Sequence, residues 1–238
     1  LLRARSRSTA DEAERFRTQL RETDGGTLGF LGTWEGNEHW FTADGRGAVA
    51  YRVVNDIAIA VGDPVCTPGD AAQTVRGFLD FCDANAWTPV FYSTHDEFVP
   101  TFRALGWRSI SVAEETVVPL DRFELTGKVW TKVRQPYNRG QRDGLTTLWT
   151  TWEQLPAGLV AQLDALSEQW IAEKALPEMR FTLGGVEELK DPDVEILLAI
   201  GPEGELQAVT SWMPVWREGE LIGRTLDFMR RADGAMPG

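Results

Sequence analysis

Hydrophobic residues recur along this chain in two rhythms, and each predicts a different element. Spacings of three and four residues mark one face of a helix, and alternation marks a strand. Ala10–Glu22 has helical composition, with Thr9 and Asp11 offering a start. Val75, Phe78, Leu79 and Cys82 fall on one face of a helix predicted over Asp70–Asn85. Glu97–Leu105 reads as a further helix, closed by Gly106 where a C-cap is expected. Leu155–Glu173 reads as a long one, with Leu159, Leu163, Leu166 and Trp170 on its apolar side. Strands are predicted at His39–Thr42 and Gly47–Val54 around the Asp44-Gly45 turn, then at Asp56–Val61 before Gly62-Asp63-Pro64. Pro89–Ser93 is a short strand, and Ile110–Leu120 one long strand or a pair. Thr27–Trp34 carries apolar residues between glycines. A second series follows at Val194–Ile200, Leu206–Pro214 and Leu221–Met229, with turns at Pro202–Glu205 and Glu218–Glu220. Strands joined by turns, with helices to pack on them, predict an α+β class. The strand–turn–strand of 194–214 parallels that of 39–54, so two similar halves are expected despite negligible identity, with Asp121–Gly144 as the link.

Composition supports a globular reading. The 238 residues are 42% hydrophobic and 25% charged, and the length accommodates one large domain or two small ones. No apolar run approaches the roughly 18–20 residues of a membrane helix, and Leu1–Arg7 alternates Leu with Arg instead of forming a signal sequence. The chain starts without Met and stops at Pro237-Gly238, just after a strand-like segment, so it reads as a fragment. Cys66 and Cys82 alone form neither a disulfide framework nor a CxxC site, which suits a reducing compartment. Both read as small core residues. His39 and His95 are too few for a His-rich metal site, and each reads as a surface or loop histidine. His95-Asp96-Glu97 could instead start a helix near a cleft.

Charge changes the picture. Lys and Arg number 24 against 36 Asp and Glu, a net of −12, which argues against non-specific polyanion binding. The distribution is uneven. Lys128, Lys132, Arg134, Arg139 and Arg142 follow one another with no acid before Asp143, whereas Gly184–Glu205 holds seven acids against Lys190. Lys128, Lys132 and Arg139 can share a helix side, although Pro136 is expected to interrupt it. By itself such a run favours a solvated helix face. With Trp130, Tyr137 and Asn138 interleaved it also suits phosphate binding.

Two further places hold chemistry. Glu114-Glu115 sits inside the apolar run Ile110–Leu120, and alternation turns one carboxylate inward. Asp227 lies between apolar neighbours in Leu226–Met229, and Arg230 follows three positions on. The residues alone favour a structural buried salt bridge at both. No GxGxxG, GxxxxGK[ST], GxSxG or HExxH motif occurs, so dinucleotide, P-loop, serine-hydrolase and zincin chemistry find no support.

An ordered set of short motifs carries a family resemblance. It comprises Ala50-Tyr51-Arg52-Val53, Gly62-Asp63-Pro64, Phe91-Tyr92, Leu105-Gly106-Trp107, Glu114-Glu115, Gly127-Lys128, Arg134-Gln135-Pro136-Tyr137-Asn138-Arg139, Arg142-Asp143-Gly144, Trp170, Phe181-Thr182-Leu183-Gly184 and Leu226-Asp227-Phe228-Met229-Arg230. The chain resembles the C-terminal cytosolic domain of bacterial phosphatidylglycerol lysyltransferases, the multiple peptide resistance factors. That resemblance implies a tandem acetyltransferase-like (GNAT) fold, with halves at 1–120 and 145–238 around a basic linker helix at 121–144. It also implies transfer of a lysyl or alanyl group from aminoacyl-tRNA to the hydroxyl of an anionic phospholipid, at the cytoplasmic face of the bacterial membrane. Full-length members often add a multi-span membrane domain. No cofactor is implied, because an aminoacyl ester is already activated and needs neither ATP nor a metal.

The family's acids map onto Glu115 (or Glu114) and Asp227, which would hold the substrate α-ammonium. Asp227 and Arg230 are the implied catalytic pair, with Asp227 a candidate general base. Asn138, Arg139 and Arg180 are implied in substrate binding, and Lys128, Lys132, Arg134 and Arg142 in holding the tRNA end or the lipid phosphate. Lysyl members tend to carry Glu-Lys before Phe-Ser-Leu-Gly; here Glu178-Met179-Arg180-Phe181-Thr182-Leu183-Gly184 shifts the cation by one residue and makes it Arg. Ala113 also stands where glycine usually precedes the acid pair. The amino acid and the acceptor therefore stay open. Transfer to a peptide or cell-wall acceptor, and a tRNA- or lipid-binding module without catalysis, are the alternatives. Acetyl-CoA chemistry is disfavoured, because Arg139-Gly140-Gln141-Arg142-Asp143-Gly144 has the wrong spacing for its pyrophosphate loop.

Overall fold

A computed structural model describes residues 9–174 and 183–236. The chain divides into two compact units, one of Leu1–Val112 with Pro214–Thr225 and one of Ala113–Met213 with Leu226–Gly238.

The first unit begins with α1 (Ala10–Glu22), whose start is set by a reciprocal cap. Glu12 N–H donates to the Thr9 hydroxyl at 3.2 Å, and Thr9 N–H donates to the Glu12 carboxylate at 2.7 Å. The sheet runs β1 (Glu38–Phe41), β2 (Gly47–Val54), β3 (Ile57–Val61) and β5 (Thr88–Tyr92), and β4 (Val65–Cys66) pairs with β2. Pairs β1–β2, β2–β3 and β2–β4 are antiparallel. Strands β3 and β5 are parallel, so they need a crossover, and α2 (Ala71–Ala84) supplies it. Its predicted face packs as the spacing requires, with Val75, Phe78 and Cys82 buried. Phe78 sits among Trp40, Tyr51, Phe81 and Phe91 with ring centroids 5.3–6.2 Å away. The aromatic richness of the chain is thus largely core here. Burial pushes the Cys66 thiol up to about 11 and the Cys82 thiol up to about 12, which keeps both inert near neutral pH. Helix α3 (Val99–Ala104) ends at Gly106, whose φ of +81° lets its N–H reach the Arg103 carbonyl.

The tip of a distant hairpin is sewn into this unit. Arg217 Nε lies 2.8 Å from Asp24 Oδ2, and the Glu218 and Gly219 N–H groups donate to the Thr23 and Arg21 carbonyls. Trp216 meets the Phe30 ring and lies beneath the Arg21 guanidinium.

The second unit carries α4 (Thr131–Arg142), β6 (Thr146–Thr150), α5 (Ala157–Lys174), β7 (Glu195–Ile200) and, outside Pro214–Thr225, the rest of β8 (Leu206–Arg217) and β9 (Glu220–Arg231), with sheet order β6-β7-β8-β9. Leu163 and Leu166 of α5 pack with Ile196, Leu198, Val209 and Phe228 from the sheet. These are the inward positions of alternating strands.

Four expectations need correction. Ile110–Leu120 is not a strand: residues 108–119 are irregular, and Ile110, Val117 and Leu120 are widely exposed. Its β-branched residues suit a strand, but no ladder among the described residues satisfies its backbone. Glu114 and Glu115 are consequently both exposed, and neither turns inward. Pro136 does not interrupt α4, which runs through it. Only the N–H that would reach the Lys132 carbonyl is missing, and both residues lie on an exposed face. His39 is no surface residue. It lies in β1, stacks on Phe16 at 4.5 Å, contacts the Gly32 carbonyl at 2.9 Å through Nε2, and burial lowers its pKa.

Phe78 is fully buried at the centre of the aromatic cluster. Phe78→Ala is expected to destabilise the first unit by about 3–5 kcal/mol, read as a lower midpoint in urea denaturation.

Candidate functional site

Strand β9 delivers the two predicted catalytic residues. Phe228 and Arg230 are two positions apart, so both turn inward, and they are 1% and 8% exposed. The Arg230 guanidinium carbon lies 3.7 Å from the centre of the Trp170 ring, supplied by α5, and 4.2 Å from that of Phe228. The negative faces of two rings thus hold the cation in a fixed plane. Arg230 Nη1 also donates to the Met229 carbonyl at 2.9 Å.

Asp227 lies one position before Phe228. Its Oδ1 accepts the Gly184 N–H at 3.0 Å. The next amide, Gly185 N–H, donates to the Glu188 carboxylate at 2.7 Å. A Cβ on Gly184 would overlap the Asp227 carboxylate, so this approach of backbone to acid requires glycine. Burial pushes the Asp227 carboxyl up to about 6; the Gly184 amide opposes that, Glu188 reinforces it and Arg230 opposes it. A carboxyl poised there changes protonation close to neutral pH, as a general base must.

The basic segment forms α4 and the turn before it. Lys128 stands in that turn, and Lys132, Asn138, Arg139 and Arg142 are exposed along the helix. Asn138, Arg139 and Arg142, with Gln135, Pro136 and Gln141, line an open recess of about 920 Å³. Arg134 is turned partly to structure, donating from Nη1 to the Leu125 and Gly127 carbonyls at 2.9 and 3.1 Å. Arg139 pairs with Asp143 at 3.4 Å, an exposed contact of little net worth. Arg142 Nε donates to the Asn138 carbonyl at 3.2 Å.

The structure therefore places Asp227 and Arg230 three positions apart on one strand, with Arg230 acting on the Asp227 carboxyl through its charge, and groups Asn138, Arg139 and Arg142 around one recess. Glu114 and Glu115 stand on the exposed irregular segment. Arg180 lies outside the described residues. Sequence reasoning missed Glu188, which faces Asp227 from a turn. The only available signal was its place in the acid-rich 184–205 stretch, and that stretch reads as a solvated run.

Fold and site define an α+β protein with two sheets and, on one strand, a half-buried acid and a ring-stacked arginine. Residues 17–238 match the family described as phosphatidylglycerol lysyltransferase, C-terminal, and the chain belongs to that family. An uncharacterized protein of Corynebacterium glutamicum is 39% identical over 229 residues, covering 95% of this chain and 29% of that protein. The lysylphosphatidylglycerol biosynthesis bifunctional protein LysX of Mycobacterium leprae is 28% identical over 206 residues, covering 87% of this chain and 18% of its own length. The chain thus spans less than a third of these relatives. The solved structure of L-PGS from Bacillus licheniformis superposes with a TM-score of 0.80 at 25% identity, over 97% of this chain and 68% of that one.

The raised Asp227 pKa has a stability consequence. Because the folded value lies above the ordinary 3.8, the proton is held more tightly in the folded state. The stabilisation is complete below the ordinary value and is lost as pH rises through about 6. Asp227→Asn keeps the acceptor oxygen for Gly184. It should be more stable than the parent chain near neutral pH, and urea denaturation across the pH series should show that gap closing towards the ordinary carboxylate range.

Proposed function

We propose that this chain is an aminoacyl-tRNA-dependent transferase that moves a lysyl or alanyl group onto the hydroxyl of phosphatidylglycerol or a similar anionic lipid. The observation that carries this reading is on strand β9: a carboxyl raised to about 6 at Asp227 and, three residues on, an arginine held over the Trp170 ring. Membership of the lysyltransferase family and likeness to a lysylphosphatidylglycerol biosynthesis protein and to L-PGS support the lipid acceptor. In the step, the lipid oxygen attacks the ester carbonyl and gives its proton to Asp227. The bond to the tRNA ribose oxygen breaks, and that oxygen takes a proton back. Arg230 faces the phosphate of one of the two substrates. Glu114 and Glu115 hold the α-ammonium, and Arg180, Asn138 and Arg139 contact the substrate. Lys128, Lys132, Arg134 and Arg142 dock the anionic partner.

On this reading the sequence comprises tandem acetyltransferase-like halves at 1–120 and 145–238, with 121–144 as the basic linker. The protein works at the cytoplasmic face of a membrane to which a further domain of the parent can anchor it. Among the described residues no helix is long and apolar enough to cross a bilayer.

Incubating the chain with labelled lysyl- or alanyl-tRNA and phosphatidylglycerol vesicles should yield labelled lipid. Asp227→Asn and Arg230→Ala should each lower the rate by roughly 100-fold or more, with Arg230→Lys failing to rescue because an ammonium cannot stack as the guanidinium does. The parent rate should rise with pH through about 6 as Asp227 ionises. Labelling of a peptide acceptor in place of lipid, or binding without turnover, would refute the lipid assignment. Lys128→Glu with Lys132→Glu should weaken tRNA binding and flatten its salt dependence, and tRNA binding indifferent to salt would refute docking by these cations.

A further inference from the structure

We propose that Thr27, His95 and Asp63 form a second chemical site, a hydroxyl nucleophile with its own base that cleaves activated oxygen esters. All three lie in the first unit, and no step of the transfer proposed above uses them. Asp63 is 5% exposed and ends the turn after β3. Its Oδ1 accepts the His95 backbone N–H at 2.9 Å, and its Oδ2 lies 2.5 Å from His95 Nδ1. A carboxylate partner makes Nδ1 the protonated nitrogen, which leaves a lone pair on Nε2. That nitrogen is 3.0 Å from Thr27 Oγ1. Hydroxyl, imidazole and buried carboxylate in this order are how a weak oxygen nucleophile is activated.

The surroundings suit the reading. The His95 side chain is 26% exposed and Thr27 is half-buried, so a small ester can reach both. Gly26 has a φ of +65°, and a Cβ there would overlap the Asp63 carboxylate and press on the His95 ring. The loop comes this close only because residue 26 lacks a side chain. The Thr225 hydroxyl donates to the Thr27 carbonyl at 2.6 Å and helps hold the loop. The Leu28 N–H makes no hydrogen bond among the described residues. The amide following a nucleophile is a usual donor to the oxyanion.

In the reaction, Thr27 Oγ bonds to the ester carbonyl carbon while His95 Nε2 takes the hydroxyl proton. The carbon–oxygen bond to the alcohol breaks, and His95 returns the proton to that oxygen. Water, deprotonated by the same nitrogen, then attacks the acyl-threonine. Thr27 Oγ leaves and is reprotonated, and a carboxylic acid is released. Nothing is oxidised or reduced.

The test uses the 238-residue chain and 4-nitrophenyl acetate. Nitrophenolate release is followed, and the acetylated residue is located by peptide mass spectrometry. Acetyl is expected on Thr27, with turnover falling roughly 100-fold or more in Thr27→Ala and His95→Gln and surviving in Thr27→Ser. Melting followed by circular dichroism separates loss of chemistry from loss of fold: Thr27→Ala should melt with the parent chain. Parent-level turnover in folded Thr27→Ala, acetyl found only on lysines, or no turnover by the parent chain would each overturn the proposal.

Discussion

A guanidinium taken almost wholly out of water is the constraint around which the second unit is arranged. Desolvating such an ion costs several kcal/mol unless its surroundings replace the lost water. Arg230 has two aromatic faces and the Met229 carbonyl to do so. The faces come from different elements, Trp170 from α5 and Phe228 from β9. Phe228 also packs against Leu163 and Leu166. Holding the cation and closing the core are therefore one packing problem, and a shift of α5 against the sheet would disturb both.

The same strand ties the acid to its environment. Asp227 is partly withdrawn from water, and its raised pKa follows first from that burial. One amide from Gly184 steadies the ionised form, while Glu188, held by the adjacent Gly185 amide, works against it. A two-glycine turn thus holds a carboxyl near the point where it can both take and release a proton. A larger residue at position 184 would push the backbone off the acid.

The net charge of −12 looked unfavourable for a polyanionic partner, but its arrangement matters more than its sum. The acids of 184–205 are spread through the second unit's turns and strand β7, whereas α4 exposes Lys132, Arg139 and Arg142 along one short helix. Attraction confined to one patch on an acidic body favours contacts that are reversible and sensitive to salt.

The periodicity of the chain determined α1, α2, α5 and most strands, because their apolar faces are local patterns that survive folding. Asp227 and Arg230 stand out in the sequence as charges between apolar neighbours in a strand, and the structure buries Arg230 and half-buries Asp227. Glu114 and Glu115 misled, because alternation implies an inward face only when a strand has a partner, and residues 108–119 form no ladder. His39 was misjudged because its contacts with Phe16 and Gly32 come from other segments. Tertiary structure alone decided that the 214–225 hairpin tip joins the first unit, that Trp170 caps Arg230, and that Thr27, Asp63 and His95 meet. The physical reason is common to all three. Spacing along a chain records which side of its own element a residue faces, whereas hydrogen bonds and ring contacts depend on what another element brings to that side.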